Sequence, residues 1–195
     1  ISQSRQILNP IFKVKKLDDE LQAKAHILLL DILERQLWTF KPQSMAFNNA
    51  LKHYLSQLRR VSHYTWPQAR LEVFAKNAFA FGDTQLAKEL YYQLIFSAKV
   101  INIQWFENIA SLYLAEKQYR AAARTYLQAM PYTTTLAQRK QFFLLGIKAL
   151  QSGNLLADAL AAGQTYVGLL AHDAEVLEYL TRLALAANRP DIAQY

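Results

Sequence analysis

Three stretches of this chain carry one apolar pattern at a nearly constant interval, and that periodicity restricts the fold more than any single residue does. Leu71-x2-Phe74-Ala75-x2-Ala78, Phe106-x2-Ile109-Ala110-x2-Tyr113 and Phe142-x2-Leu145-Gly146-x2-Ala149 each set two large residues three apart and follow them with a small one. After a short polar turn comes a second pattern, Ala87-x3-Tyr91, Ala122-x3-Tyr126 and Ala159-x3-Gly163. Ala75 to Ala110 is 35 residues, Ala110 to Gly146 is 36 and Ala87 to Ala122 is 35. Two helices of about 14 residues joined by tight turns fill such a period. A hairpin that small cannot bury its apolar face alone, so hairpins must stack and present a surface. The expected function is binding rather than chemistry.

Composition narrows the choice. The 195 residues are 52% apolar, enough for a buried core, yet hold only five Gly and five Pro, too few for the turns of a many-stranded β fold. With no cysteine, disulfides, thiolate metal sites and cysteine nucleophiles are excluded. No segment approaches the roughly 20 apolar residues of a membrane span; Ile27 to Leu37 is interrupted by Asp31, Glu34 and Arg35. The start lacks a signal-peptide pattern and an initiator Met, and the chain reads as an excised fragment. Residues 1 to 70 carry 11 Lys/Arg against 5 Asp/Glu and residues 71 to 195 carry 11 against 10, so an acidic partner or a solvated basic face belongs near the N-terminal part.

Along the chain, residues 1–16 form a lead-in and residues 17–66 a diverged helical pair. Its first helix starts at Asp18-Asp19-Glu20, where negative charge suits a helix N-terminus, and runs to Trp38; Pro42 stops it. Ser44 caps the second helix, which repeats the spacing as Ala50-x3-Tyr54. Residues 67–195 hold the clear repeats, about 67–101, 102–137, 138–172 and a truncated 173–195. Trp66-Pro67 opens the first, with Pro67 at the first helical position. The turns fall at Gly82-Asp83, Glu116-Lys117-Gln118, Ser152-Gly153-Asn154 and Asn188-Arg189-Pro190-Asp191, and Pro131 closes the second repeat. The third repeat has one extra residue, placed between its turn and Ala159. The fourth begins at Leu177-x2-Leu180-Thr181-x2-Ala184 and reaches Ala193; more repeats or another domain follow in the parent protein, because a stack needs a polar end cap.

This pattern resembles the tetratricopeptide repeat family. The resemblance implies an all-α superhelical array of antiparallel helix pairs, a tetratricopeptide-like solenoid, with the first helix of each pair lining a concave groove. Ala75, Ala110, Gly146, Ala87, Ala122 and Ala159 are then close-approach core positions, and Leu145 is core. Counting by helical period, the partner-binding groove takes Glu72, Lys76 and Phe79; Glu107, Ser111 and Leu114; Lys140, Phe143, Ile147 and Leu150; and Glu178 and Arg182. Several of these also read as ion pairs along one helix face. The family's clamp for C-terminal carboxylates is matched only by Asn108 and Lys140. Glu72, Lys76 and Leu144 depart from it, and Glu72 would repel a carboxylate.

Catalytic signals are absent. His26, His53, His63 and His172 lie apart without metal-ligand spacing, and there is no phosphate loop or nucleophile elbow. No enzyme activity, cofactor or metal is expected. The bases and aromatics Tyr54, Arg59, Arg60, His63, Tyr64 and Trp66 interleave as in a nucleic-acid surface, but they sit at a helix joint where aromatics pack, so no nucleic acid is expected.

Ala149-Leu-Gln-Ser-Gly-Asn-Leu-Leu-Ala-Asp-Ala-Leu160 and Leu183-Ala-Leu-Ala-Ala-Asn-Arg-Pro-Asp-Ile-Ala-Gln194 resemble the repeat region of the PelB family, the tetratricopeptide scaffolds of Pel exopolysaccharide export in Gram-negative bacterial biofilms. The likeness covers roughly residues 67–195. It implies a periplasmic, non-catalytic protein–protein interaction scaffold that recruits a polysaccharide deacetylase/hydrolase, with possible polymer contact, attached to the outer membrane only through other parts of the parent. The alternatives are a generic scaffold of another, even cytoplasmic, assembly, or an α-helical toroid enzyme.

Overall fold

The structure is a computed structural model that describes residues 19–188. Expectations for residues 1–18, and for Arg189 to Tyr195 including Ala193, lie outside the described residues. Nine α-helices and no strand occur among the described residues: α1 (Asp19–Leu37), α2 (Met45–Val61), α3 (Gln68–Ala80), α4 (Thr84–Ser97), α5 (Gln104–Ala115), α6 (Tyr119–Ala129), α7 (Leu136–Ser152), α8 (Leu156–Tyr166) and α9 (Ala174–Ala186). The protein is all-helical. It divides into two compact units, residues 1–90 and 91–195, with the division inside α4.

One backbone device recurs between the helices of a pair. Gly82, Lys117, Asn154 and Asn188 adopt left-handed φ values of 77°, 59°, 56° and 56°. At the first three, the next N–H reaches back five residues: Asp83 to the Ala78 carbonyl at 2.9 Å, Gln118 to Tyr113 at 2.8 Å and Leu155 to Leu150 at 2.9 Å. The left-handed residue donates to the carbonyl three before it, at 3.1 Å for Gly82, 2.9 Å for Lys117, 2.8 Å for Asn154 and 3.0 Å for Asn188. These paired bonds satisfy helix-end carbonyls that would otherwise be orphaned. The carbonyl after the cap then accepts the first bond of the next helix, from Ala87, Ala122 and Ala159. Only Gly82 lacks a Cβ penalty there; Asn tolerates the conformation, and Lys117 carries it at some cost.

Counting back from this cap exposes a register that the apolar pattern misses. Eleven, eight, seven and four residues before it stand Leu71, Phe74, Ala75 and Ala78 in α3; Phe106, Ile109, Ala110 and Tyr113 in α5; Phe143, Gly146, Ile147 and Leu150 in α7; and Leu177, Leu180, Thr181 and Ala184 in α9. All are buried except Tyr113, Leu177 and Thr181, which are half-buried. In α7 the pattern residues Phe142, Gly146 and Ala149 are buried beside Phe143, Ile147 and Leu150, so the core takes in both sets, and Leu145 alone of the pattern is half-buried.

The extra residue is likewise not between the turn and Ala159. Ile147 to Ala159 is the same 12 residues as Ala75 to Ala87 and Ala110 to Ala122, whereas Ala122 to Ile147 exceeds Ala87 to Ala110 by two. The surplus sits between α6 and α7, where Met130–Tyr132 forms a 3-10 turn around Pro131. Packing fixes the length of a helix hairpin, while a link between hairpins absorbs insertions at small cost.

The size order at the third hairpin is inverted. Small Gly146 stands where Phe74 and Ile109 stand elsewhere, and large Ile147 takes the place of Ala75 and Ala110. Leu127 of α6 fills the vacated space: a Cβ on Gly146 would lie 3.0 Å from the Leu127 Cγ. Gly163 similarly replaces the tyrosine of Ala-x3-Tyr, and a Cβ there would lie 2.7 Å from a methyl of Leu180.

In the first unit α1 packs against α2, and Ser44 caps α2 by accepting from the Phe47 N–H at 3.1 Å. α1 ends at Leu37, before Pro42, and Pro67 stands at the N-cap of α3 rather than inside it. Asp31 of α1 holds Arg70 of α3 through two contacts of 2.9 and 3.2 Å. The buried Tyr54 hydroxyl accepts from Asn77 Nδ2 at 2.8 Å, and burial pushes its pKa up to about 12. In the second unit α5–α6, α6–α7, α7–α8 and α8–α9 pack as sequence neighbours around Phe106, Tyr126, Phe142, Phe143, Ile147 and Leu180.

The register gives opposite outcomes for two adjacent substitutions. Phe143→Ala should cost about 3–5 kcal/mol in urea unfolding and Leu145→Ala less than about 2 kcal/mol. Equal losses would restore the pattern-based register.

Candidate functional site: the open face of the first helices

Ten and six residues before each cap, outside the fully buried positions, stand Glu72 and Lys76, Glu107 and Ser111, Leu144 and Lys148, and Glu178 and Arg182; Leu144 also packs against the edge of the core. Positions four apart share a helix face. Glu72 and Lys76 form an ion pair at 2.9 Å, and Glu178 and Arg182 another at 2.5 Å. In α5 the acid Glu107 is half-buried and faces no base four residues on; the Ser111 hydroxyl instead donates to the Asn108 carbonyl at 2.7 Å. In α7 Leu144 takes the acid's place, and Lys148 has no ion pair among the described residues.

Six of the twelve expected groove residues thus share one register position set. Phe79 lies half-buried farther along α3. Phe143 and Ile147 are corrected: both are 0% exposed, because they occupy the core positions eleven and seven before Asn154. Leu150 is buried as well, while Leu114 is half-buried. The residues that take their place on the open face of α7 are Leu144 and Lys148. The signal that could have found them is Asn154, since asparagine marks a left-handed cap when helices are aligned by their ends.

Lys140 begins this face of α7. Its ammonium donates to Asp173 at 2.9 Å and also pairs with Glu175, and these two carboxylates, Glu175 first, raise its pKa. Asp173 is also the N-cap of α9, accepting from the Val176 N–H at 3.1 Å. Its pKa is held below the ordinary aspartate range, by Lys140 above all and by Val176 next. Asn108, the other clamp-like residue, donates its amide to the Tyr91 hydroxyl at 2.8 Å. Both clamp matches are therefore engaged within the fold.

Between Lys140 and Lys148 lies a shallow hollow of about 280 Å3 lined by Ala137, Lys140, Gln141, Leu144, Leu145 and Lys148. Leu144 and Leu145 are half-buried in it and Lys148 is exposed.

The basic and aromatic joint of the first unit is a packed one. Tyr54 and Trp66 are buried, the Trp66 indole donates to the Val61 carbonyl at 2.9 Å, and Arg59 grips Asp83 at 2.8 and 2.7 Å. His63 stacks on Tyr64 at 4.5 Å, and His26 meets the same ring at 5.6 Å. Burial, with His63 nearby, lowers the His26 pKa. Among the described residues no three His, Asp or Glu side chains converge as metal ligands, and no helix is long and apolar enough to cross a membrane.

No protein-family model matches the chain, and no curated protein matches it.

The Lys140 clasp makes stability depend on pH with a defined sign. A carboxylate whose folded pKa is depressed stabilises the fold above its unfolded pKa, and that contribution disappears as pH falls through the folded value. Asp173→Asn keeps a competent helix cap but removes the charge. The variant should unfold at lower urea at neutral pH and lose less stability than the parent below the ordinary aspartate range; parallel pH curves would contradict this.

Proposed function

We propose that the protein is a non-catalytic protein–protein interaction scaffold whose helix pairs continue as a tetratricopeptide-like solenoid. The observation that carries this reading is the repeated register: in α3, α5, α7 and α9 the same two positions before the cap are left half-buried or exposed, so the same register positions recur on one face of each helix. Packing alone needs the buried positions to recur. It does not need the open ones to do so, and three of the four helices keep a glutamate there. A repeated open face is what stacked helix pairs offer to a bound segment.

The assembly we favour is Pel-type exopolysaccharide export. In this reading the chain is the periplasmic repeat region of an outer-membrane protein and recruits a polysaccharide deacetylase/hydrolase. The residues from Ala149 to Leu160 and from Leu183 to Gln194 support it. The Gly-Asn turn of the first stretch is the Asn154 cap, and the Asn of the second is the Asn188 cap.

Immobilised protein should retain such a periplasmic enzyme at micromolar concentration, and absence of retention would count against the export reading. Photocrosslinkers at Lys76 and Arg182 in cells test the scaffold reading separately, by whether they capture a protein.

A further inference from the structure

Two of the four open faces depart from the paired arrangement: α5 keeps the acid Glu107 but has Ser111 in place of the base, and α7 keeps the base Lys148 but has Leu144 in place of the acid. In α3 and α9 the acid ten before the cap and the base six before it neutralise each other, as Glu72 with Lys76 and Glu178 with Arg182. In α7 the acid is replaced by Leu144, so the base that would have paired with it, Lys148, has no ion pair among the described residues. The substitution also puts an apolar side chain beside Leu145 in the hollow between Lys140 and Lys148.

The sequence on either side of α7 is also basic. From Lys117 to Ala157 the sequence holds Lys117, Arg120, Arg124, Arg139, Lys140 and Lys148 and no acidic residue at all. Arg120 is paired with Asp158 at 2.6 Å and Lys140 with Asp173 and Glu175. Lys117, Arg124, Arg139 and Lys148 have no ion pair among the described residues.

We infer that the hollow on α7 is the docking site for an acidic amphipathic segment of a partner protein, whose carboxylate pairs with Lys148 in place of the missing glutamate and whose apolar residues cover Leu144 and Leu145. This deepens the scaffold reading and rests on it. The chemistry is specific. The nine residues from Lys140 to Lys148 span about 12 Å of helix, which two turns of a partner helix match. An apolar floor with a cation at its rim selects apolar residues flanked by an acid over a uniformly charged polymer. A nucleic acid would find a base but no stacking platform, since none of the six lining side chains is aromatic.

The test uses the full chain at about 0.15 M salt, where exposed charges beyond a Debye length are screened. The probe is a fluorescent helical peptide with Leu at i, i+3, i+4 and i+7 and Glu at both ends. The controls are a scrambled peptide of the same composition and one with Lys for Glu. Saturable binding is expected for the first peptide alone, read by anisotropy. Leu144→Glu gives Lys148 a partner of the chain's own in a favourable i, i+4 arrangement and, with its folding checked by the unfolding curve because Leu144 also packs against the core, should weaken binding about tenfold or more. Lys148→Met should weaken it similarly. The inference is overturned if the first peptide fails to saturate, if the scrambled or Lys peptide binds as well, if Leu144→Glu binds undiminished, or if a single-stranded oligonucleotide displaces the peptide. In each of those cases capture of a protein in cells from Lys76 or Arg182 still stands or falls independently, so failure of this site is distinguishable from failure of the scaffold reading.

Discussion

The left-handed residue between α3 and α4, α5 and α6, and α7 and α8, with the N–H behind it returning five residues to a helix carbonyl, sets the register of what packs around it. Helix ends leave carbonyls without partners, and this closure satisfies them while turning the chain through one residue. Because the next helix starts immediately on the following carbonyl, the distance from a given core position of one helix to its counterpart in the next is fixed. Ala75 to Ala87, Ala110 to Ala122 and Ile147 to Ala159 are therefore equal, although their side chains are not. Side-chain size varies around a constant backbone, and Gly146 with Leu127, or Gly163 with Leu180, shows how a neighbouring helix fills what a small residue vacates.

That hierarchy explains what was legible in the sequence. Helices, their number and their turns could be read, since apolar spacing, Gly82 and Asn154 are local signals; the Ser44 cap could be read for the same reason. The register of α7 could not be read from size. Pattern matching sought large then small and found Leu145-Gly146, whereas the fold has small then large, Gly146-Ile147, with the exchange hidden by a side chain from α6. The open face followed the same division. Glu72, Lys76, Glu107, Ser111, Glu178 and Arg182 could be placed because their helices keep the common size order. Phe143 and Ile147 were drawn into the groove because theirs does not.

Charge on the open face follows packing one step later. Once the cap fixes which residues point away from the core, i, i+4 pairs form wherever the sequence supplies both signs, and such pairs contribute little stability in water. Their larger effect is on recognition: a neutralised face attracts little, and a face with an unmatched cation beside apolar carbon has a preference. The departure at Leu144 thus has more functional consequence than the ion pairs that conform, and Lys140, tied to Asp173 and Glu175, holds the start of that face to the beginning of α9.

The register of α7 can be measured directly because the chain has no cysteine. Phe143→Cys, Leu144→Cys, Ile147→Cys and Lys148→Cys each introduce one thiol, whose rate of modification by a maleimide reports its exposure in the native state. The cap-defined register predicts fast modification at 144 and 148 and strong protection at 143 and 147. Fast modification at 143 and 147 with protection at 144 and 148 would contradict it.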